Sequence, residues 1–255
     1  MLPTDHIDKF LEAGYRIHEI GTGRIRRWVG VTIQHPLALL AAPLYLLRVP
    51  VVSVEMSPAE RADSRWMYNR SRPWRLRGFV SSYLEVPPRV EDYWHGPKRQ
   101  QIRRRTTQAK TAGLTVRSVA TSEIVPVIAQ VYRADIDGRV HEIEPNLREM
   151  KMRKSDDPLE RAVCVGVFDT DGSAVAFSLG IQTGNAVITM LSGTAQRGPA
   201  RWLCFSGLVS EVSARGAKYI IQSPPWSLTE GNKIFAHHLG FVPGRIRAKR
   251  TIGTA

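Results

Sequence analysis

Acidic side chains gather in one short stretch against the grain of this chain. Between positions 135 and 144 (DIDGRVHEIE) stand Asp135, Asp137, Glu142 and Glu144, with Arg139 the one base among them. The whole protein carries a formal net charge of +13. Such a loop can draw in a cationic amine, and a carboxylate such as Asp135 or Glu142 can take a proton from it through water. A solvated loop pairing with nearby arginines is the alternative. His141, in the same stretch, belongs to the one side-chain type that ordinarily titrates near neutrality. Ser223 adds a hydroxyl at the end of the apolar run KYIIQ, just before Pro224-Pro225-Trp226. His237 and His238 are neighbours on a helical stretch, so their side chains point about 100° apart and cannot both face one site.

Anion-binding chemistry has two candidate places. The stretch Gly193-Thr-Ala-Gln-Arg-Gly-Pro-Ala200 joins an apolar strand pattern to a helical one. Small residues there let a ligand approach the backbone, and the free N–H groups of the helix start favour negative charge. The second is the basic stretch holding Lys98, Arg99, Arg103, Arg104, Arg105 and Lys110, which reads equally as a solvated helix face. Arg245, Arg247, Lys249 and Arg250 lie on the last strand pattern, mostly on one face. The lone Gly21-Thr22-Gly23 carries no weight.

These residues need a frame. From position 114 the pattern is regular: strand 114–120, helix 122–136 with Thr121 as N-cap, and a short helix at 146–154. Strands follow at 162–168, 174–181 and 186–191, with Asp171-Gly172 and Gly184-Asn185 as hairpin turns. A helix at 200–215 starts on Pro199 and stops at Gly216. A strand at 218–222, a helix at 231–239 and a strand from 241 to about 252 complete the order. Upstream, a helix from Thr4 to Ala13, apolar segments at 36–47 and 49–54 and a strand at 78–86 are expected. Pro87 and Pro88 end that strand and mark the best internal boundary. One helix is expected from Glu91 to Ala112, with Arg99, Arg103 and Lys110 on one face and Ile102, Ala109 and Ala112 packing inward. The division is an N-terminal region 1–90, a basic connecting helix 91–113 and a principal domain 114–255.

Composition bounds the class. The chain of 255 residues is 43% hydrophobic and 23% charged, ordinary for a folded protein. Cys164 and Cys204 sit in apolar runs and read as buried free thiols, and no Cys/His spacing suggests a metal site. The N-terminus lacks the apolar core of a signal peptide. Pro36–Leu47 is too short to span a bilayer, which needs about 20 apolar residues. The expectation is a cytoplasmic protein. Arg24, Arg26, Arg27 and Arg48 flank that apolar segment, so it is either a buried helix or one lying at an anionic membrane surface, peripheral to the inner face. Residues 1–112 hold 19 basic against 10 acidic side chains, and residues 113–255 hold 17 against 13. That excess favours polyanionic partners without choosing among them.

The order of elements over 114–252 resembles the GNAT acyltransferase family. The turn 193–200, Asp171-Gly172 followed by AVAFSLGI, and Gly231-Asn-Lys-Ile-Phe-Ala-His-His-Leu-Gly-Phe241 each match a family feature. The segment EDYW…KRQQIRRRTTQAKTAGLTV is similar to the one preceding the core in FemAB-like and cellulose-biosynthesis-type acetyltransferases. The resemblance implies an α/β protein of α+β type: a GNAT-like mixed, mostly antiparallel central sheet flanked by helices. Residues 1–90 would be an N-terminal extension or a shortened first GNAT-like half. It further implies an N-acyltransferase using acyl-CoA, acetyl or longer, and no metal. Backbone N–H groups at Leu191–Gly193 would face the acyl carbonyl. Gln196, Gly198 and Ala200 would line the phosphates, with Arg197, Arg201 and Asn232 adding contacts. The acidic loop would wall the amine acceptor, with Glu142 or Asp135 as base, and Ser223 would lie where a leaving thiol is protonated. The acceptor would be an amine-bearing small molecule or a lipid- or sugar-linked envelope precursor. A FemAB-type transferase using aminoacyl-tRNA, and a catalytically degenerate binding protein, are the alternatives. Two departures stand out: the phosphate turn is one residue short of the common spacing, and Ala236 occupies the position where many members carry a tyrosine acid.

Overall fold

The computed structural model describes residues 9, 11–13, 29, 32–34, 36–57, 60, 79–133, 160–195 and 198–250. Eight described strands form a single sheet: β1 (Val51–Met56), β2 (Phe79–Glu85), β3 (Thr115–Ser118), β4 (Ala162–Phe168), β5 (Ala174–Thr183), β6 (Ala186–Thr194), β7 (Tyr219–Gln222) and β8 (Val242–Arg250). Their order across the sheet is β1-β8-β2-β7-β6-β5-β4-β3. The β1–β8 and β6–β7 pairs are parallel and the others antiparallel. This is the mixed, mostly antiparallel sheet, flanked by helices, that the GNAT resemblance implies.

The helices are α1 (Pro36–Arg48), α2 (Val90–Tyr93), α3 (Gln100–Thr111), α4 (Ile124–Arg133), α5 (Ala200–Ala214) and α6 (Glu230–Leu239). On one side of the sheet α5 packs on β4, β5 and α3. That core gathers Leu84, Ile102, Val165, Leu203, Leu208, Ile220 and Phe241. On the other side α4 buries Ile124, Val127, Ile128 and Val131, the i, i+3, i+4, i+7 stripe of an amphipathic helix. They join Cys164, Phe177 and Leu179. A third cluster on the same side, around Val54, Met56, Ile188, Ile221 and Ile246, ties β1 and β8 to β6 and β7.

The expected core elements appear within a residue or three of their sequence positions. The helix expected over 91–112 does not run unbroken. Gly96 takes φ +88 before Pro97, which separates α2 from a 3-10 turn at Pro97–Arg99 and α3. Proline cannot donate to the preceding turn and pushes its neighbour out of helical geometry. Ile102 and Ala109 are fully buried as expected, but Ala112 is exposed. The N-cap of the turn leading into α4 is Ala120 rather than Thr121, with the Glu123 carboxylate accepting the Ala120 N–H at 3.3 Å. The expected helix at 146–154 lies outside the described residues, and the one at 4–13 largely so.

The hairpin turn at 184–185 joins three parts of the chain. Asn185 accepts the N–H of Lys218 on its carbonyl at 2.7 Å and that of Glu55 on Oδ1 at 3.0 Å. The Gly184 N–H donates to Glu60 Oε1 at 2.8 Å. Gly184 has φ +55, and a Cβ there would fall on the Glu55 carbonyl oxygen, so only glycine permits β1 to pass this close.

Candidate active site

The parallel pairing of β6 with β7 covers three residues, Ala186↔Tyr219, Val187↔Ile220 and Ile188↔Ile221. Beyond it the Thr189 hydroxyl donates to the Ile221 carbonyl at 3.1 Å, and β6 continues to Thr194 paired with β5 alone. The register shifts between Leu179 and Gly180 opposite Leu191 and Thr189, so Met190 is an extra residue that bends β6. In an antiparallel ladder alternate residues turn their N–H and C=O groups away from the partner strand. Along 190–194 those groups face the side that β7 has left. β7 stops at Gln222, and the chain turns through Pro224 and Pro225.

The free end of β6 leads into α5. Pro199 caps this helix, and its carbonyl accepts the N–H groups of Trp202 at 2.9 Å and Leu203 at 3.2 Å. The N–H groups of Ala200 and Arg201 have no earlier turn of helix to bond to, the usual condition of a helix start. Gly198 is exposed, and a Cβ there would meet nothing within 4 Å. A charged group stands beside this end. Arg201 Nη2 donates to Asn232 Oδ1 at 2.7 Å, and its guanidinium lies 3.7 Å from the centre of the Phe235 ring. Burial lowers the Arg201 pKa while the neighbouring Cys204 opposes the shift; guanidinium remains cationic through the neutral range. Among the described residues no carboxylate pairs with it. Among the described residues, a strand edge that no neighbouring strand pairs thus meets a helix start flanked by a cation that no carboxylate neutralises.

Of the expected site residues the structure joins Arg201 to Asn232 directly, while Leu191 and Gly193 lie on the length of β6 beyond its pairing with β7 and Gly198 and Ala200 lie at the start of α5. Leu191 packs with the α4-side cluster. Gly193 is dictated by packing, since a Cβ would come 2.8 Å from Phe177 Cε1. The Ala200 side chain is buried in the core, leaving its backbone as the part that can meet a ligand. Ser223 is exposed, just past β7. Gln196, Arg197, Asp135 and Glu142, with the rest of the acidic loop, lie outside the described residues. Ala236 is buried at 6% exposure against the α5 core, and His238 packs by Trp202 with ring centroids 6.0 Å apart.

Sequence reasoning missed Gln222. Its Nε2 is buried without a partner among the described residues, at the point where β7 leaves β6. Two positions after Ile220, it shares that residue's side of the sheet and has Ser82 of β2 opposite it. The one available signal was an amide closing an otherwise apolar run. The basic stretch also reads differently in the structure. Arg103 donates to the carbonyls of Trp94 and Gly96. Arg99 lies over the Tyr93 ring and reaches the His238 carbonyl at 3.4 Å. Both arginines therefore bind the chain itself.

The described residues contain no group of three His, Cys, Asp or Glu able to hold a metal. No protein-family model matches the chain, and no curated protein matches it. Solved structures similar to it include FemX, at 9% identity and TM-score 0.48, covering 65% of this chain and 59% of that one. A tandem GNAT protein from the clavulanic acid biosynthesis pathway is 13% identical with TM-score 0.42, covering 87% and 66%. L-PGS from Bacillus licheniformis is 14% identical with TM-score 0.36, covering 61% and 48%. The chain spans about half to two thirds of the length of these proteins, and none of the likenesses assigns it an activity.

Proposed function

We propose that the protein is an N-acyltransferase that moves an acyl group from acyl-CoA to an amine. The observation that carries this reading is the parting of β6 from β7 beside the α5 start, where Arg201 is held by Asn232. An extended, amide-bearing thioester arm fits between diverging strands because it can bond to both edges. Its pyrophosphate suits a helix start with an adjacent cation.

In this reading the amine nitrogen bonds to the acyl carbon, and backbone N–H groups of the free β6 edge stabilise the resulting oxyanion. The carbon–sulfur bond then breaks. The amine's proton passes to a carboxylate, for which Glu142 and Asp135 are the candidates. Ser223, past the end of β7, is the candidate donor to the departing thiolate. The acidic loop suits a cationic acceptor such as an amino sugar or an envelope precursor carrying an amine.

The test is release of free thiol from acetyl-CoA and longer acyl-CoAs against a panel of amines. Amine-dependent release is the expected result. Absence of release with every acyl-CoA, together with transfer from aminoacyl-tRNA, would replace the donor. A folded protein that turns over neither would be a binding protein.

A further inference from the structure

A helix with no charged residue over twelve positions ordinarily lies inside a protein or in lipid. α1, PLALLAAPLYLLR, meets its first charge at Arg48, yet Leu37 is 60% exposed, Leu44 61% and Leu47 52%. At about 100° per residue these three leucines and the exposed Arg48 share a sector of about 100°. The exposure continues along the chain: Val29, Ile33 and Val51 are also large, apolar and open to solvent. Six of the nine exposed large hydrophobic residues described thus fall between positions 29 and 51, so the stripe is a local feature and not scattered surface.

Basic groups adjoin it. Arg245 of β8 donates to the carbonyls of Leu47 at 3.1 Å and Val49 at 3.2 Å, holding the end of α1 against the sheet. Val51 pairs with Arg245, Ser53 with Arg247 and Glu55 with Lys249. Arg247 and Lys249, two and four positions on, share the Arg245 face of the strand and are exposed. Glu55 is the acidic group facing them across the pair. Among the described residues no ion pair holds Arg48, Arg247 or Lys249. The rest of the chain reinforces the sign, with a net charge of +13.

We infer that α1 and the adjoining β1–β8 edge dock on the surface of an anionic lipid bilayer, with the leucine stripe entering the headgroup–acyl boundary and Arg48, Arg247 and Lys249 meeting headgroup phosphates. Charge selects this occupant. A second copy would bring a like-charged edge against this one, whereas an anionic surface neutralises it. Thirteen residues are too few to cross the bilayer, so the helix lies along the surface. This inference is independent of the acyl-transfer reading, although it would bring the protein to a lipid-linked acceptor.

The test is co-sedimentation of the full chain with vesicles of phosphatidylcholine alone and of phosphatidylcholine with phosphatidylglycerol, at low and high salt. Sedimentation with the anionic vesicles, weakened by salt, is expected. Arg247→Gln with Lys249→Gln should weaken it roughly thirtyfold, since each basic group near an anionic surface contributes about a factor of five. Leu44→Asn with Leu47→Asn, both at exposed positions, should weaken it about tenfold or more while circular dichroism stays unchanged. No sedimentation with anionic vesicles, or wild-type sedimentation by both double variants, would overturn the inference. So would light scattering that finds a lipid-free dimer dissociated by the leucine substitutions. Acyl-CoA binding by the same variants is expected to be unchanged, which separates failure of this inference from failure of the catalytic reading.

Discussion

Cys164 and Cys204 show how environment decides what a residue can do. Burial pushes the Cys164 thiol up to about 12. The Cys204 thiol is raised further, mainly by burial and by Cys164, and lies 3.6 Å from the Val165 carbonyl. The thiolate is the reactive form, so neither cysteine serves as a nucleophile near neutral pH. A chromogenic thiol reagent should therefore leave the native protein unlabelled and react with both cysteines only after denaturation. Glu60 is tuned the opposite way. Desolvation would raise its pKa, but the Ser57 and Gly184 N–H groups and Arg161 together bring it below the usual value. A depressed folded-state pKa contributes stability that is present above the unfolded carboxylate's pKa and lost as pH falls through the folded one. Acid titration of Glu60→Gln should consequently show a shallower loss of stability on the acidic side, with little change in slope near neutral pH.

Elements were legible in the sequence where local pattern decides them. The continuous apolar run AVCVGVF, buried along its whole length, and the turn glycines mark β4, β5 and β6, and the i, i+3, i+4 spacing marks α4. Three features fall outside the sequence reading. The break at Gly96-Pro97 is one: the strong helix formers of the basic run around it favour one continuous helix, although the Gly-Pro pair is itself a breaking signal. Met190 as an extra residue depends on β5–β6 register, which no local pattern fixes. Gly184 read as an ordinary hairpin glycine, although the approach of β1 from 130 residues away makes the requirement absolute. Replacing Gly184 with alanine combines a positive φ with a collision against Glu55 backbone. It should cost at least about 2–4 kcal/mol, whereas a strain-free glycine-to-alanine change stabilises by about 0.4–1 kcal/mol, as read from chemical denaturation midpoints.

At the scale of the molecule, the sequence broke most visibly at Pro87-Pro88, and β2 does end just before them. The sheet nevertheless runs across that point. β2 sits between β7 and β8, and β8 has only β1 and β2 as neighbours. Such pairings over more than 130 positions are set by tertiary packing, which is why strand order could not be read from residue pattern. A chain beginning at residue 87 would leave β8 with no partner and β7 with an open edge, a template for aggregation. That truncated chain should lack the cooperative thermal transition of the full protein in circular dichroism, and a full-length-like transition would show that residues 87–255 stand alone. The candidate site was half legible: the turn before α5, Arg201 and Asn232 were all singled out. Gln222 was not, because its burial follows from where β7 parts from β6.

The central claim, that acyl-CoA lies between β6 and β7 with its phosphates at the α5 start, is tested most directly by calorimetric titration with acetyl-CoA at two salt concentrations. Saturable binding is predicted for the wild type, weakened about tenfold or more in Arg201→Met, which retains packing volume over Phe235 but loses the charge-assisted bond. No binding by the wild type at either salt, or binding that Arg201→Met leaves untouched, would contradict the account.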